Sequence, residues 1–309
     1  MIKYFYKSLR SAAVSELDDY KRGTWVYVEA PDEPELDHLA EKFKLDRSVL
    51  EDALDENEMP RLEKDGDVSY IFVRFAMINE DGELDTVPLL FIFGSELLMT
   101  ISLVRLPPLA MFMQGKVDFA TTQRAKLVLQ ILNLIADHYD TFTAGTSKQI
   151  KRIRAHLRRH EIGNQDFIEF VNIEDELNEF LSALIPTNAT LRRLLLGRYM
   201  PLFEEDQDIV EDLLLNNEQS IEACNSNLKS VANIRDAYSS ISANNLNRTI
   251  KVLTIATVMI AIPNLFFSMY GMNVTLPAQH HPWTFPALII FNVVLLTSIA
   301  VYGRRKRIF

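Results

Sequence analysis

Hydrophobic positions are unevenly spread along the 309 residues of this chain. Residues 252–270 (VLTIATVMIAIPNLFFSMY) run without a charge, and residues 285–302 (FPALIIFNVVLLTSIAVY) do the same. A helix rises about 1.5 Å per residue, so each run matches the roughly 30 Å hydrocarbon core of a bilayer. Core helices of soluble proteins seldom stay charge-free on every face for so long. The pattern therefore predicts two membrane spans rather than two buried helices. Tyr270, Trp283 and Tyr302 stand at the ends of the runs, where interfacial aromatics collect.

Ahead of the spans the pattern changes twice. Residues 24–29, 69–78, 88–93 and 97–103 are β-branched or aromatic-rich, with turn signals at Gly66 and Gly82, and predict strands. Residues 32–44 and 47–55 have helical spacing, the second ending before Pro60. From about Leu109 to the first span glycine occurs only at Gly115, Gly145, Gly163 and Gly197, which predicts long helices. One is expected over 126–159, followed by a short connection and a second helix beginning near Pro201. Residues 204–270 hold no glycine and one proline, Pro263; read as one helix, these 67 residues extend about 100 Å. They carry no clean heptad, which argues against a simple two-stranded coil. The expected division is an α/β domain (1–105), a long-helix region (106–251), a two-span membrane part (252–303) and a basic tail (304–309). Within the membrane part, 252–273 hold the first span and its outer end, 274–284 a loop and 285–303 the second span.

Charge sharpens this division. The chain carries 32 basic and 42 acidic residues, a net charge of −10. All 42 acids and 28 of the bases lie within residues 1–251, giving 28 − 42 = −14 there. Residues 252–309 hold no acid and four bases, Arg304, Arg305, Lys306 and Arg307. Arg248 and Lys251 precede the first span and the basic tail follows the second, while the connector lacks Lys and Arg. Both termini should therefore face the cytoplasm of a cell-membrane protein. The N-terminus MIKYFYKSLR has no apolar core of a signal peptide, so the acidic part is expected to stay cytosolic. An acidic field of this size argues against a nucleic-acid partner. The single Cys224 excludes a disulfide framework. No glycine-rich phosphate loop, HExxH or Ser-His-Asp pattern supports an enzyme. His156 and His160 have a ligand-compatible spacing but lie among Lys151, Arg152, Arg154, Arg158 and Arg159, charges that disfavour a cation site. That basic run suits the inner leaflet or acids of neighbouring helices.

One face of the first span is polar. Thr254, Thr257, Asn264 and Ser268 project within a sector of roughly 80° at about 100° per residue. Ala261 shares the sector, and Asn247 and Ile250 extend it toward the cytosol. The stripe suits helix packing or a pore lining. Two spans cannot enclose a pore, so the second reading needs an oligomer. A charge-free lining would handle an ion through its water shell, which suits Mg²⁺ because that ion dehydrates reluctantly. Pro263, without an amide donor, is expected to bend or loosen the helix near Asn264.

At its outer end the first span runs into Tyr270-Gly271-Met272-Asn273. With a cytosolic α/β domain, long helices, two C-terminal spans and a basic tail, this chain resembles the CorA-type divalent-cation channels. The resemblance implies a funnel-shaped homopentamer in which five copies of the first span line a pore. Gly271, Met272 and Asn273 would form the selectivity ring. The Asn273 carboxamide would accept hydrogen bonds from a hydrated cation, Gly271 would permit a backbone turn and Met272 would hold the loop. A plain helix end would also favour Gly271 and Asn273. Asn264, Ala261, Thr257, Leu253, Ile250 and Asn247 match the family's pore face, with Ser268 on the same stripe. Leu253 and Ile250 correspond to a constriction that gates by dewetting. Asp236 would add an acidic ring at the funnel neck, and Arg304–Arg307 a basic ring around the gate.

The family also senses cytosolic Mg²⁺ between subunits. Glu51 and Asp52, in Leu50-Glu51-Asp52-Ala53-Leu54, match one side of that site, and Asp212 matches the other. Surface charges and a solvated helix start would explain the same acids. Mg²⁺ is thus expected as transported and regulatory ion, with no cofactor. The outer loop, residues 274–283, lacks the Met-Pro-Glu stretch of many relatives and has no acid. Its His280 and His281 admit a Zn²⁺ or Ni²⁺ idea, though adjacent loop histidines are usually plain polar residues. A passive Mg²⁺ channel, passing Co²⁺ or Ni²⁺ as well, is the leading expectation. A Zn²⁺ transporter of the same superfamily is the first alternative, disfavoured because such relatives commonly show Ile where Met272 stands. A membrane-anchored sensor or scaffold is the second.

Overall fold

The computed structural model describes every residue except 12, 80, 81, 83, 160–163, 275, 279 and 306–309, with backbone alone at 157–159, 164–167 and 304. It divides into two compact units, residues 1–233 and 234–309.

The first unit is built on a seven-stranded sheet. Its strands are β1 (Ile2–Tyr6), β2 (Ser15–Leu17), β3 (Trp25–Glu29), β4 (Arg61–Asp65), β5 (Val68–Ile78), β6 (Leu84–Phe93) and β7 (Leu98–Ser102), in the order β2-β1-β3-β7-β6-β5-β4. Only β3 and β7 pair in parallel; every other neighbouring pair is antiparallel. The central strands are buried on both faces, which explains their continuous apolar runs. Even positions Tyr70 and Phe72 of β5 join Leu36, Leu39, Val49 and Leu50 in one core. On the other face the Phe75 ring lies 5.0 Å from His138. The four predicted strands are present. β1, β2 and β4 were not anticipated, because their short or polar stretches give no strong alternation. β4 (RLEKD) is an edge strand, so its outward positions can be charged. A two-residue turn with Gly66 at φ 55° returns it to β5.

Two helices connect β3 to β4. α1 (Glu33–Phe43) has a capping box in which Asp32 accepts from the Glu35 amide at 2.8 Å and Glu35 accepts from the Asp32 amide at 3.3 Å. α2 (Arg47–Asp52) is capped by Asp46, whose carboxyl is lowered by its bonds to Ser48. It ends three residues earlier than the sequence reading placed it. The Asp55 carboxylate accepts from the Asn57 amide at 2.9 Å, and that local turn competes with further helix.

After β7 come a 3₁₀ turn (Pro107–Leu109) and the short α3 (Ala110–Met113), then α4 (Arg124–Arg159), α5 (Asn164–Leu194), α6 (Glu204–Tyr270) and α7 (Thr284–Arg305). α5 corrects the expected short connection. Phe170, Ile173, Leu177, Phe180, Leu184, Leu191 and Leu194 form its buried stripe, and Pro186 inside it disguised the pattern. α6 is one 67-residue helix that continues through Pro263. Polar ties hold its first part against α4: the Ser220 hydroxyl donates to Asp140 at 2.6 Å, and the Ser147 hydroxyl to Asn227 Oδ1 at 3.1 Å.

In the second unit, α6 from residue 234 onward is followed by a loop and α7. Both carry apolar windows of membrane-spanning length, 0% and 6% buried respectively, so bilayer or other chains must cover them.

Candidate ion pathway and regulatory carboxylates

The two sides of α6 have different surroundings within the second unit. Ile255, Met259, Ile262, Pro263, Phe266 and Tyr270 are half-buried, and the Phe266 ring meets Phe291 of α7 edge-on at 5.0 Å. At about 100° per residue these positions centre roughly opposite the polar stripe. The candidate positions Asn247, Ile250, Leu253, Thr257, Ala261, Asn264 and Ser268 are all exposed. The stripe is therefore not the seam between the chain's own two spans. Thr257 donates its hydroxyl proton to the Leu253 carbonyl at 2.9 Å, and Thr254 to Ile250 at 2.8 Å. With those protons used along the helix, the hydroxyl lone pairs are left as acceptors. Ile250 and Leu253 are 52% and 67% exposed, an apolar pair on the same face.

At the outer end the helix tightens. The Gly271 amide donates to the carbonyls of both Phe267 and Ser268, at 3.1 and 3.2 Å, and the Met272 amide donates to Met269 at 3.2 Å. The chain turns at Gly271 with a φ outside the positive region, so this turn does not use the left-handed conformation that favours glycine. A Cβ there would meet only the Ser268 and Phe267 carbonyl oxygens, at 3.4 and 3.5 Å. Met272, expected to hold the loop, is 54% exposed in the single chain, and Asn273 beside it is also exposed. The Tyr270 hydroxyl donates to the Pro277 carbonyl at 3.4 Å and ties this end to the loop. His280 and His281 are exposed. Asp236 is exposed on α6, its carbonyl accepting from Ser240 at 3.0 Å. Of the basic tail, Arg305 is exposed and Arg304 is placed by backbone only; Lys306 and Arg307 lie outside the described residues, as does His160.

In the first unit, Glu51 and Asp52 sit at the end of α2 and are each held by an arginine. Arg47 Nη1 is 3.0 Å from Glu51 Oε1, and Arg61 Nη2 is 2.6 Å from Asp52 Oδ2. Arg61 also pairs with Glu58 and with Glu63 at 2.6 Å, and its guanidinium lies 4.1 Å above the Phe72 ring. Asp212 is exposed on α6. Among the described residues no three His, Cys, Asp or Glu side chains converge within one chain to hold a metal. Neither arginine was expected beside these acids. Arg47 was legible as an i,i+4 partner of Glu51, whereas Arg61 reaches Asp52 only because the intervening loop folds back.

Residues 20–305 match the family described as CorA-like Mg2+ transporter protein. A relative, the cobalt/magnesium transport protein CorA of Methanocaldococcus jannaschii, is 25% identical over 300 residues, spanning 94% of this chain and 92% of its own. The complete structure of the CorA magnesium transporter from that organism superposes with a TM-score of 0.85 at 24% identity, covering 99% of this chain and 98% of that one. The full-length CmaX protein shares the fold with a TM-score of 0.77 at 18% identity, covering 98% and 97%. An α/β domain, long helices and two apolar helices, matched along nearly the whole length, establish that this chain belongs to the CorA-like Mg2+ transporter family, a family of membrane transporters rather than enzymes.

Proposed function

We propose that the chain forms a homopentameric Mg²⁺ channel, passive and driven by the membrane potential, with the first span lining the pore. The observation that supports this most is the position of the polar stripe, turned away from α7 and left exposed on the single chain. Polar groups on a membrane helix are costly against lipid, so other copies and water are their fitting surroundings. A hydrated Mg²⁺ presents water hydrogens outward. The lone pairs of Thr257 and the carboxamide oxygens of Asn264 and Asn273 are acceptors suited to them. Gly271, Met272 and Asn273 form the outer filter in this reading. Ile250 and Leu253 make the apolar collar, Asp236 an acidic ring below it, and Arg304–Arg307 a basic ring around the gate. Both termini face the cytoplasm. Co²⁺, named with magnesium for the Methanocaldococcus relative, belongs to the same reading, and Ni²⁺ follows from the resemblance.

Regulation is read at Glu51 and Asp52 of one copy and Asp212 of the next, bridged by cytosolic Mg²⁺. Within one chain, arginines occupy the first two acids. The regulatory ion must therefore compete with Arg47 and Arg61, and its occupancy stabilises the closed arrangement.

The oligomeric part is tested by replacing Cys224 with Ala and Thr257 with Cys, then oxidising the protein in membranes. Disulfide-linked dimers are expected from Thr257→Cys and not from Phe266→Cys, which faces α7. The reverse pattern would sink the pore assignment.

A further inference from the structure

Arg74 of β5 is a charged residue with only 7% of its side chain exposed, and all five of its N–H donors are used. Nε donates to Thr86 Oγ1 at 2.6 Å and Nη2 to the Thr86 carbonyl at 2.5 Å. Nη1 donates to the carbonyls of Glu56 and Glu58 at 2.8 and 2.9 Å. The last donor of Nη2 goes to Glu179 Oε1 of α5 at 3.3 Å, and the same carboxylate accepts from the Thr86 hydroxyl. The Arg74 carbonyl in turn accepts from Tyr139 of α4 at 3.2 Å. One guanidinium thus joins the loop after α2, strand β6 and helix α5. Glu58 is gripped twice, by Arg74 at its carbonyl and by Arg61 at its carboxylate. Arg61 is also the partner of Asp52.

A buried, fully bonded guanidinium is rigid, because losing any one bond leaves a desolvated donor unsatisfied. A displacement of the 53–60 loop is therefore passed on rather than absorbed. Resting on the regulatory reading above, we infer that Arg74 and Glu179 are the positioning pair that carries cation occupancy at Asp52 into helix α5. With no cation, Arg61 bridges Asp52 and Glu58. When a cation takes Asp52, Arg61 keeps Glu58 and Glu63 alone, the loop shifts, and Arg74 draws Glu179 with it. Glu179 precedes Phe180, whose ring packs edge-on against Tyr139 of α4 at 5.3 Å, so the movement enters the helix layer.

The test uses the full chain in proteoliposomes, with Mg²⁺ influx measured against Mg²⁺ on the cytosolic face, and hydrogen exchange on the same protein. Glu179→Ala should leave influx at zero cytosolic Mg²⁺ unchanged and raise the half-blocking concentration about tenfold, in the ordinary range of coupling between sites. Glu179→Gln, which keeps an acceptor, should shift it less. In wild type, added Mg²⁺ should protect amides of both 53–60 and 172–186; in Glu179→Ala, only the first. Arg74→Lys should behave like Glu179→Ala, and the half-exposed Glu179 keeps the test open if the buried change prevents folding. Unaltered block in Glu179→Ala, with a shifted block in Asp52→Asn, would overturn the coupling while leaving the regulatory site standing. Unaltered block in Asp52→Asn would overturn the regulatory reading, and this inference with it.

Discussion

Asn264 and Phe266, two residues apart on α6, face different surroundings: the Phe266 ring packs on Phe291 of α7 at 5.0 Å, while Asn264 is exposed on the far side. Their substitutions should separate conduction from packing. Asn264→Leu should lower Mg²⁺ influx by about tenfold or more, since a ring of apolar side chains disfavours a water-filled pore, and leave the melting temperature near wild type. Phe266→Ala should lower the melting temperature by a few degrees through lost ring contact, with a smaller effect on influx. Influx and thermal melting on the two variants check this, and a loss of conduction in Phe266→Ala alone would exchange the assigned faces.

The carboxylates at the end of α2 give a second expectation. The double variant Asp52→Ala, Asp212→Ala should continue to conduct at millimolar Mg²⁺ on the cytosolic face, a condition under which wild type is expected to close. Influx at graded cytosolic Mg²⁺ reads this directly. Wild-type block in the double variant would return both acids to the role of surface charges.

The entry to α1 predicts a stability effect with no transport phenotype. Asp32 caps the Glu35 amide and Glu35 closes the box, so Asp32→Ala removes an N-cap contribution of about 1 kcal/mol. Denaturant unfolding should register that loss, while Mg²⁺ influx at a temperature well below melting should not change.

His138 adds a pH dependence. Burial against Phe75 and Phe142 holds its folded-state pKa below the ordinary imidazole value. The unfolded chain therefore takes up this proton first. Stability is full above about pH 6.5 and falls as the pH drops from there toward the lowered folded value. His138→Leu should lose less melting temperature than wild type between pH 7.5 and pH 5.5. An equal loss in both would assign the acid sensitivity to carboxylates alone.

The parts of the fold legible in the sequence are those with strong local signals. Residues 69–78 and 88–93 are β-branched or aromatic-rich runs near glycine turns, residues 32–44 have helical spacing, and the glycine-free stretch from Glu204 fixes α6. The unexpected elements lack such signals. β4 alternates too weakly as an edge strand, and α5 contains Pro186, which reads as a helix stop although the surrounding packing tolerates it. At the candidate sites the stripe on α6 follows from helical arithmetic alone. Which way it faces did not, because that depends on Phe266 choosing Phe291. The Arg61–Asp52 and Arg74–Glu179 pairs also needed the fold, since they join residues 9 and 105 positions apart.

Potential-driven Mg²⁺ uptake into proteoliposomes, wild type against Asn273→Ala, tests whether the chain conducts with its filter at Asn273. Robust uptake by wild type that collapses in the variant, with the oligomer intact, is the expected result. Equal uptake by both would contradict the filter, and no uptake by either, with Zn²⁺ entering under a pH gradient instead, would contradict the Mg²⁺ channel itself.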